Sequence, residues 1–253
     1  MSKDYQSIVK SFKSQTKKIL SIPEFDRDVL EQIISSLNEL DHDLKVRGVD
    51  NKQLRPDFAL TLLNSLYEHG HERAKYKPIL NQCVVLLVSY FGSTISDIFQ
   101  VGINNLFVKA SKLNSKMQKT ELKFTLKELA DYDFVLKDLI GELLVKKTDI
   151  SFQDMQSIYR AFDQSFGIKI DWDVNVSNII LSQALRHVIV HNSEIIDEKC
   201  LNQLRVAGSR TIKNNTKLDE KVVFTIDDVT IIAKSMMDYS ENLVLMLNNK
   251  HES

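Results

Sequence analysis

The segment Leu185-Arg186-His187-Val188-Ile189-Val190-His191-Asn192 places a cation, two imidazoles and a helix-stopping Asn on an otherwise apolar run. Imidazole titrates near neutrality, so it can take a proton from a ribose 2′-hydroxyl or give one to a leaving oxygen. Arginine presents a planar, permanently charged fork to phosphate oxygens, where negative charge builds in the transition state. Together these residue types suit cleavage of RNA phosphodiesters, a reaction that needs no metal. His187 and His191 are four residues apart and share a helix face. Arg186 and His191 are five apart, hence about 140° apart around a regular helix. Either the Arg side chain curls around the helix end, or a two-fold dimer sets each Arg opposite the other copy's His. A zinc set of His187, His191 and Glu194 is the competing reading, but no His-Glu-x-x-His order occurs and Arg186 sits beside it. No metal and no cofactor are expected.

The helix that must carry these residues runs from about Val176 to His191. Leu181, Ala184, Leu185 and Val188 form one core-facing stripe, while Ile179 and Val190 fall on the opposite side, which calls for a second packing partner from the same chain or from another copy. A homodimer is the natural expectation. Helical periodicity extends over nearly the whole chain. Two amphipathic helices lead, with Ser21 and Glu24 as a capping signature before the second. A third helix covers about Asp57 to His69, after Pro56 and before Gly70. From Pro78 onward apolar residues face nearly every side, which predicts a central helix wrapped by neighbours. Thr125 with Glu128, Ser151 with Asp154 and Thr225 with Asp228 mark three later helix starts, and Gly167 marks a helix end. Ile168 to Asp173 and Val222 to Phe224 alternate like extended pieces. About eight helices result.

Composition excludes several classes. Only 7 Gly and 3 Pro occur among 253 residues, too few for the tight turns of a β-sandwich or barrel. Lys plus Arg total 33 against 34 Asp plus Glu, a net charge of -1, so no global basic field points to nucleic acid. Two cysteines, Cys83 and Cys200, fit no metal spacing and read as reduced thiols. The N-terminus lacks an apolar leader and the run Cys83 to Val88 is too short to span a bilayer, so a soluble cytoplasmic protein without membrane contact is expected. There is no phosphate-binding Gly loop and no nucleophile elbow. Arg205, Arg210, Lys213 and Lys217 could hold an RNA backbone by counterion release, although Asp219 and Glu220 in the same stretch favour a solvated loop. Trp172 reads as a packing anchor rather than a base-stacking platform. His69-Gly70-His71-Glu72 reads as a helix close rather than a metal clip.

Arg186, four intervening residues and His191, at the end of an apolar helix and followed by Asn192, resemble the motif of the HEPN superfamily, the all-α "higher eukaryotes and prokaryotes nucleotide-binding" domain. His187 matches the usual polar residue after the Arg. The following Ser193 to Lys199, the polar connector and the last amphipathic helix look like HEPN proteins of the RiboL-PSP type. The resemblance covers roughly residues 77 to 248. It implies an all-α HEPN-like bundle over 77–250, an N-terminal helical extension over 1–76, and at most one short β-hairpin or extended connector. It also implies a metal-independent endoribonuclease acting on single-stranded RNA in a toxin, phage-defence or RNA-processing setting, with an antitoxin or defence-system protein as a further partner. His191 would be the general acid/base, Arg186 the phosphate ligand, and His187 and Asn192 their positioning residues. Many members carry an acidic residue after a Ser-x-Phe-like run; here Ser89-Tyr90-Phe91 is followed by Gly92 and Ser93, and Asp97 is the substitute. The rival reading is a non-catalytic dimerisation, interaction or nucleotide-binding protein on the same helices.

Overall fold

The computed structural model describes residues 4–48, 56–69, 76–108, 121–133, 135–136, 139–148, 150–208, 210–212 and 216–252. Its axis is the apolar stretch after residue 76, a 33-residue helix that is the fourth in chain order: α1 (Tyr5–Leu20), α2 (Phe25–Val46), α3 (Asp57–His69) and α4 (Tyr76–Val108). Six follow: α5 (Leu126–Asp131), α6 (Ile140–Lys147), α7 (Met155–Phe166), α8 (Val174–His191), α9 (Glu198–Val206) and α10 (Ile226–Glu252). The fold is all-α. The described residues hold ten helices rather than about eight; α6 carried no sequence signal, because Leu139 at its N-cap makes no side-chain cap bond.

Val84, Leu87, Phe91, Ile95, Ile98, Phe99 and Ile103 of α4 are all fully buried. Between Lys77 and Phe107 this helix is long and apolar enough to cross a membrane by length and composition; here its apolar face fills the core between α1, α8 and α10. Phe91 meets Tyr239 of α10 edge-on at 5.7 Å, and Phe12 of α1 at 6.3 Å. α1 therefore belongs to the main body, with Tyr5, Ile8, Phe12, Thr16 and Ile19 buried at helical spacing. α2 and α3 pack on each other and leave Phe25, Val29, Ile33, Phe58 and Leu62 exposed.

Several caps form as their residues dictate. Thr125 and Glu128 make a reciprocal capping box at α5, and Thr225 and Asp228 make one at α10. Asp154 caps α7 by accepting from the Ser157 amide, so Ser151 is not the cap. Ser21 and Glu24 make no capping box: the Ser21 hydroxyl donates to the Lys18 carbonyl, closing α1 instead of opening α2. Gly167 ends α7 at φ +65°, a left-handed cap that favours glycine.

α8 starts at Asp173, whose carboxylate accepts the Val176 amide at 2.9 Å. From Val176 to Leu185 every residue is buried, against α4, α7, α9 and α10 of the same chain. The face holding Ile179 is thus covered internally, and the second partner it calls for is supplied by the chain's own helices. After α8 the chain turns through Ser193 and Glu194, both at positive φ, and Ile195 forms one antiparallel bridge with Lys221. The extended connector exists only as this bridge among the described residues. Ile168 and Ile170 alternate with exposed neighbours as expected, in irregular backbone. Trp172 is 45% exposed, so it is not the packing anchor its size suggested.

Candidate functional site

Helix α4 carries Ser89, Gly92, Ser93 and Ser96 at i, i+3, i+4 and i+7, one helix face of small residues. A side chain at Gly92 would place its Cβ 3.3 Å from the Phe152 carbonyl, so the small stripe lets the segment before α7 come close. The space between this stripe, α7 and the last turns of α8 is a cleft of about 880 Å³. Arg186 and His187 line it from α8, Asp97 from α4, and Asp154, Gln156 and Arg160 from the start of α7. Phe152, Met155, Ile180 and Ala184 supply apolar surface.

The charges in the cleft differ in availability. The Asp154 carboxylate is engaged by the Ser157 amide and hydroxyl. The Arg160 guanidinium donates to the Ser157 hydroxyl at 3.2 Å. Among the described residues Arg186 makes no hydrogen bond and no ion pair, which leaves its fork open to an anion. Asp97 lines the same cleft as Arg186.

His187 is partly buried, and burial holds its pKa below the ordinary value, because the charged ring loses hydration. Lys199, His191 and Arg186 push the same way, and Asp197 opposes them. The neutral form of the His187 ring is accordingly favoured. The His187 and His191 rings lie 4.9 Å apart between centroids, tilted by 46°. His191 itself is exposed in the last turn of α8 and is not among the lining residues. Asn192, expected as a positioning residue for the pair, instead closes the helix: its side-chain amide donates to the Ile195 carbonyl at 2.6 Å and its backbone amide to Val188.

The turn that follows is held from α4. Asn81, 1% exposed, donates through Nδ2 to the Glu194 carboxylate at 3.1 Å and to the Val222 carbonyl at 3.2 Å. The Val222 amide donates to the Glu194 carbonyl at 2.8 Å. These bonds keep two non-glycine residues in the left-handed region, an arrangement that costs of the order of 1 kcal/mol per residue and persists only where surroundings impose it.

Two residues of the cleft went unread in the sequence. Gln183 is buried, and its Oε1 accepts the Met155 amide, an unpaired donor at the start of α7, at 3.0 Å. Its Nε2 has no hydrogen-bond partner among the described residues. A glutamine inside an apolar helix was the available signal. Phe152 has none, because only the tertiary packing of its segment on Gly92 brings it to the cleft.

The basic residues of the connector are elsewhere. Arg205 is exposed on α9, Lys217 pairs with Glu220 at 3.6 Å, and one guanidinium nitrogen of Arg210 is buried. None of the three lines the cleft. Lys213 and the segment Gly70-His71-Glu72 lie outside the described residues. Cys83 and Cys200 are both buried free thiols, each pushed up to about 11 by desolvation. Among the described residues no group of three or more His, Cys, Asp or Glu side chains is placed to hold a metal ion. No protein-family model, no curated protein and no solved structure matches the chain.

Proposed function

We propose that the protein is a metal-independent endoribonuclease of HEPN type that cleaves single-stranded RNA at the cleft beside Arg186. The observation that carries this reading is the unpaired Arg186 guanidinium sharing one cleft with His187, with the ring of His191 4.9 Å from that of His187 between centroids. In this reaction His187 accepts the proton of the ribose 2′-hydroxyl as that oxygen attacks phosphorus. The bond from phosphorus to the 5′-oxygen breaks, and His191 gives that oxygen a proton. Arg186 holds the non-bridging oxygens as their charge rises. The products are a 2′,3′-cyclic phosphate and a 5′-hydroxyl.

The location of His187 in the cleft supports a direct role for it beside His191, in place of a positioning role alone. Val190, 45% exposed on α8, offers an apolar contact for a second copy of the chain, whose own Arg and His would widen the strand-binding surface. An antitoxin or defence-system partner belongs to the same proposal. Incubating purified protein with mixed RNA in EDTA, wild type against His191→Ala, tests it: loss of cleavage in a folded variant supports the proton-donor role, and unchanged cleavage removes it.

A further inference from the structure

Among the described residues, helices α2 and α3 contribute no apolar side chain to the hydrophobic core or to the partly buried shell around it. Leu30, Ile34, Leu37 and Leu44 make a half-buried row on α2, and Leu60, Leu63 and Leu66 make one on α3, which accounts for the packing of the two helices on each other. A second apolar row on α2 is left over. Phe25, Val29, Ile33 and Leu40 are all exposed and lie within about 80° of one another around a regular helix. They run along about 22 Å of α2, and α3 adds exposed Phe58 and Leu62 one turn apart. Two helices cannot enclose such a row by themselves, whereas a third helix laid along it does.

The charge beside the row selects that third helix. The half-buried row borders the exposed one on one side of α2, and Asp28, Glu39 and Asp43, all exposed, border it on the other, within about 100° of Val29. None of these three carboxylates is in an ion pair among the described residues. α2 carries six acidic residues against two basic ones, and α3 carries two acidic residues and no Lys or Arg. The same face of a second copy would set this acidic surface against its own kind, and an anionic lipid surface is repelled in the same way. A cationic helix is attracted.

We infer that the outer face of α2 and α3 is the docking surface for a basic amphipathic helix of a partner protein. The partner's apolar stripe covers Phe25, Val29, Ile33 and Leu40, and its lysines or arginines meet Asp28, Glu39 and Asp43. None of these residues lines the cleft beside Arg186, so the docking surface stands whether or not that cleft cleaves RNA.

The full chain is titrated into two fluorescein-labelled amphipathic peptides of about 18 residues, long enough to hold a helix, one built of Leu and Lys and the other of Leu and Glu in the same order. The expected result is binding of the Leu/Lys peptide at least about tenfold tighter than that of the Leu/Glu peptide. Ile33→Gln removes apolar area from the row without adding charge and weakens Leu/Lys binding about tenfold, whereas Leu245→Gln, at an exposed position of α10, leaves it unchanged. Glu39→Lys combined with Asp43→Lys narrows or inverts the preference; the comparison of the two peptides on the wild type decides even if a variant does not fold. Equal affinities, no binding of either peptide, or a loss in Leu245→Gln as large as in Ile33→Gln overturns the assignment. Sedimentation of the wild type as a dimer that Ile33→Gln disperses gives the face to a second copy and overturns it as well, as does binding to phosphatidylcholine vesicles that Ile33→Gln abolishes.

Discussion

Asn81, near the start of α4, donates one side-chain amide to both the Glu194 carboxylate and the Val222 carbonyl, and so ties the exit of the motif-bearing helix to the central helix of the core. Replacing it by alanine leaves two acceptors without this donor at a buried position. Asn81→Ala is expected to lower the unfolding free energy by about 1 to 3 kcal/mol, read by urea denaturation. A loss below experimental error would mean that the turn is held by the Val222 amide and the Ile195–Lys221 bridge alone.

The turn itself makes a second case. Ser193 sits at φ +51°, where an L side chain crowds the backbone. Ser193→Gly relieves roughly 1 kcal/mol of left-handed cost and adds back about 0.5 kcal/mol of chain entropy, for a net stabilisation of about 0.5 kcal/mol. A small rise in melting temperature with unchanged unfolding cooperativity is the expected reading. A fall would show that the Ser193 side chain contributes more than its backbone costs.

Helix α6 meets α4 at Gly141, whose amide donates to the Asn104 side chain at 2.7 Å. A Cβ there would stand 2.2 Å from the Gln100 carbonyl, a backbone atom that cannot swing aside. Gly141→Ala is therefore expected to destabilise by about 1 to 3 kcal/mol through forced separation of the helices, despite alanine's better helix propensity. Thermal unfolding checks the sign: a stabilised variant contradicts the close helix contact.

The sequence disclosed much of this architecture for identifiable reasons. Alternation of burial along α1, α4 and α7 follows the 3.6-residue period, and Thr125-Glu128, Thr225-Asp228 and Gly167 act locally, so each was visible without tertiary information. Ser21 carried the right residue type for a cap but faces the preceding helix, a choice that depends on how tightly α1 runs into α2. Arg186, His187 and Asp97 were visible as chemistry-bearing types. The cleft that unites them was not, because it depends on Gly92 admitting the Phe152 backbone and on Gln183 reaching across to α7.

The protonation of His187 gives a kinetic prediction. Burial depresses its pKa first, and the positive charge of Lys199 adds to this, since both disfavour the imidazolium. As the base, His187 must be neutral, so on the acidic limb the rate of RNA cleavage rises with pH through a pKa below 6.5. Lys199→Ala removes a repelling charge, raises that pKa toward 6.5, and moves the acidic limb to higher pH. Titration of the His187 ring protons by NMR gives the same shift independently of turnover. A limb that stays in place, or moves to lower pH, contradicts the assignment of His187 as base.

Arg186 bears the central claim, because it is the cation of the cleft that no described residue neutralises. The most direct test is to map the ends of RNA fragments produced in EDTA by the wild-type protein and by Arg186→Ala. The account predicts 2′,3′-cyclic phosphate and 5′-hydroxyl ends, formed about 10² to 10³-fold more slowly by a folded variant. Fragments with 5′-phosphate ends, or a variant that cleaves as fast as wild type, would contradict it.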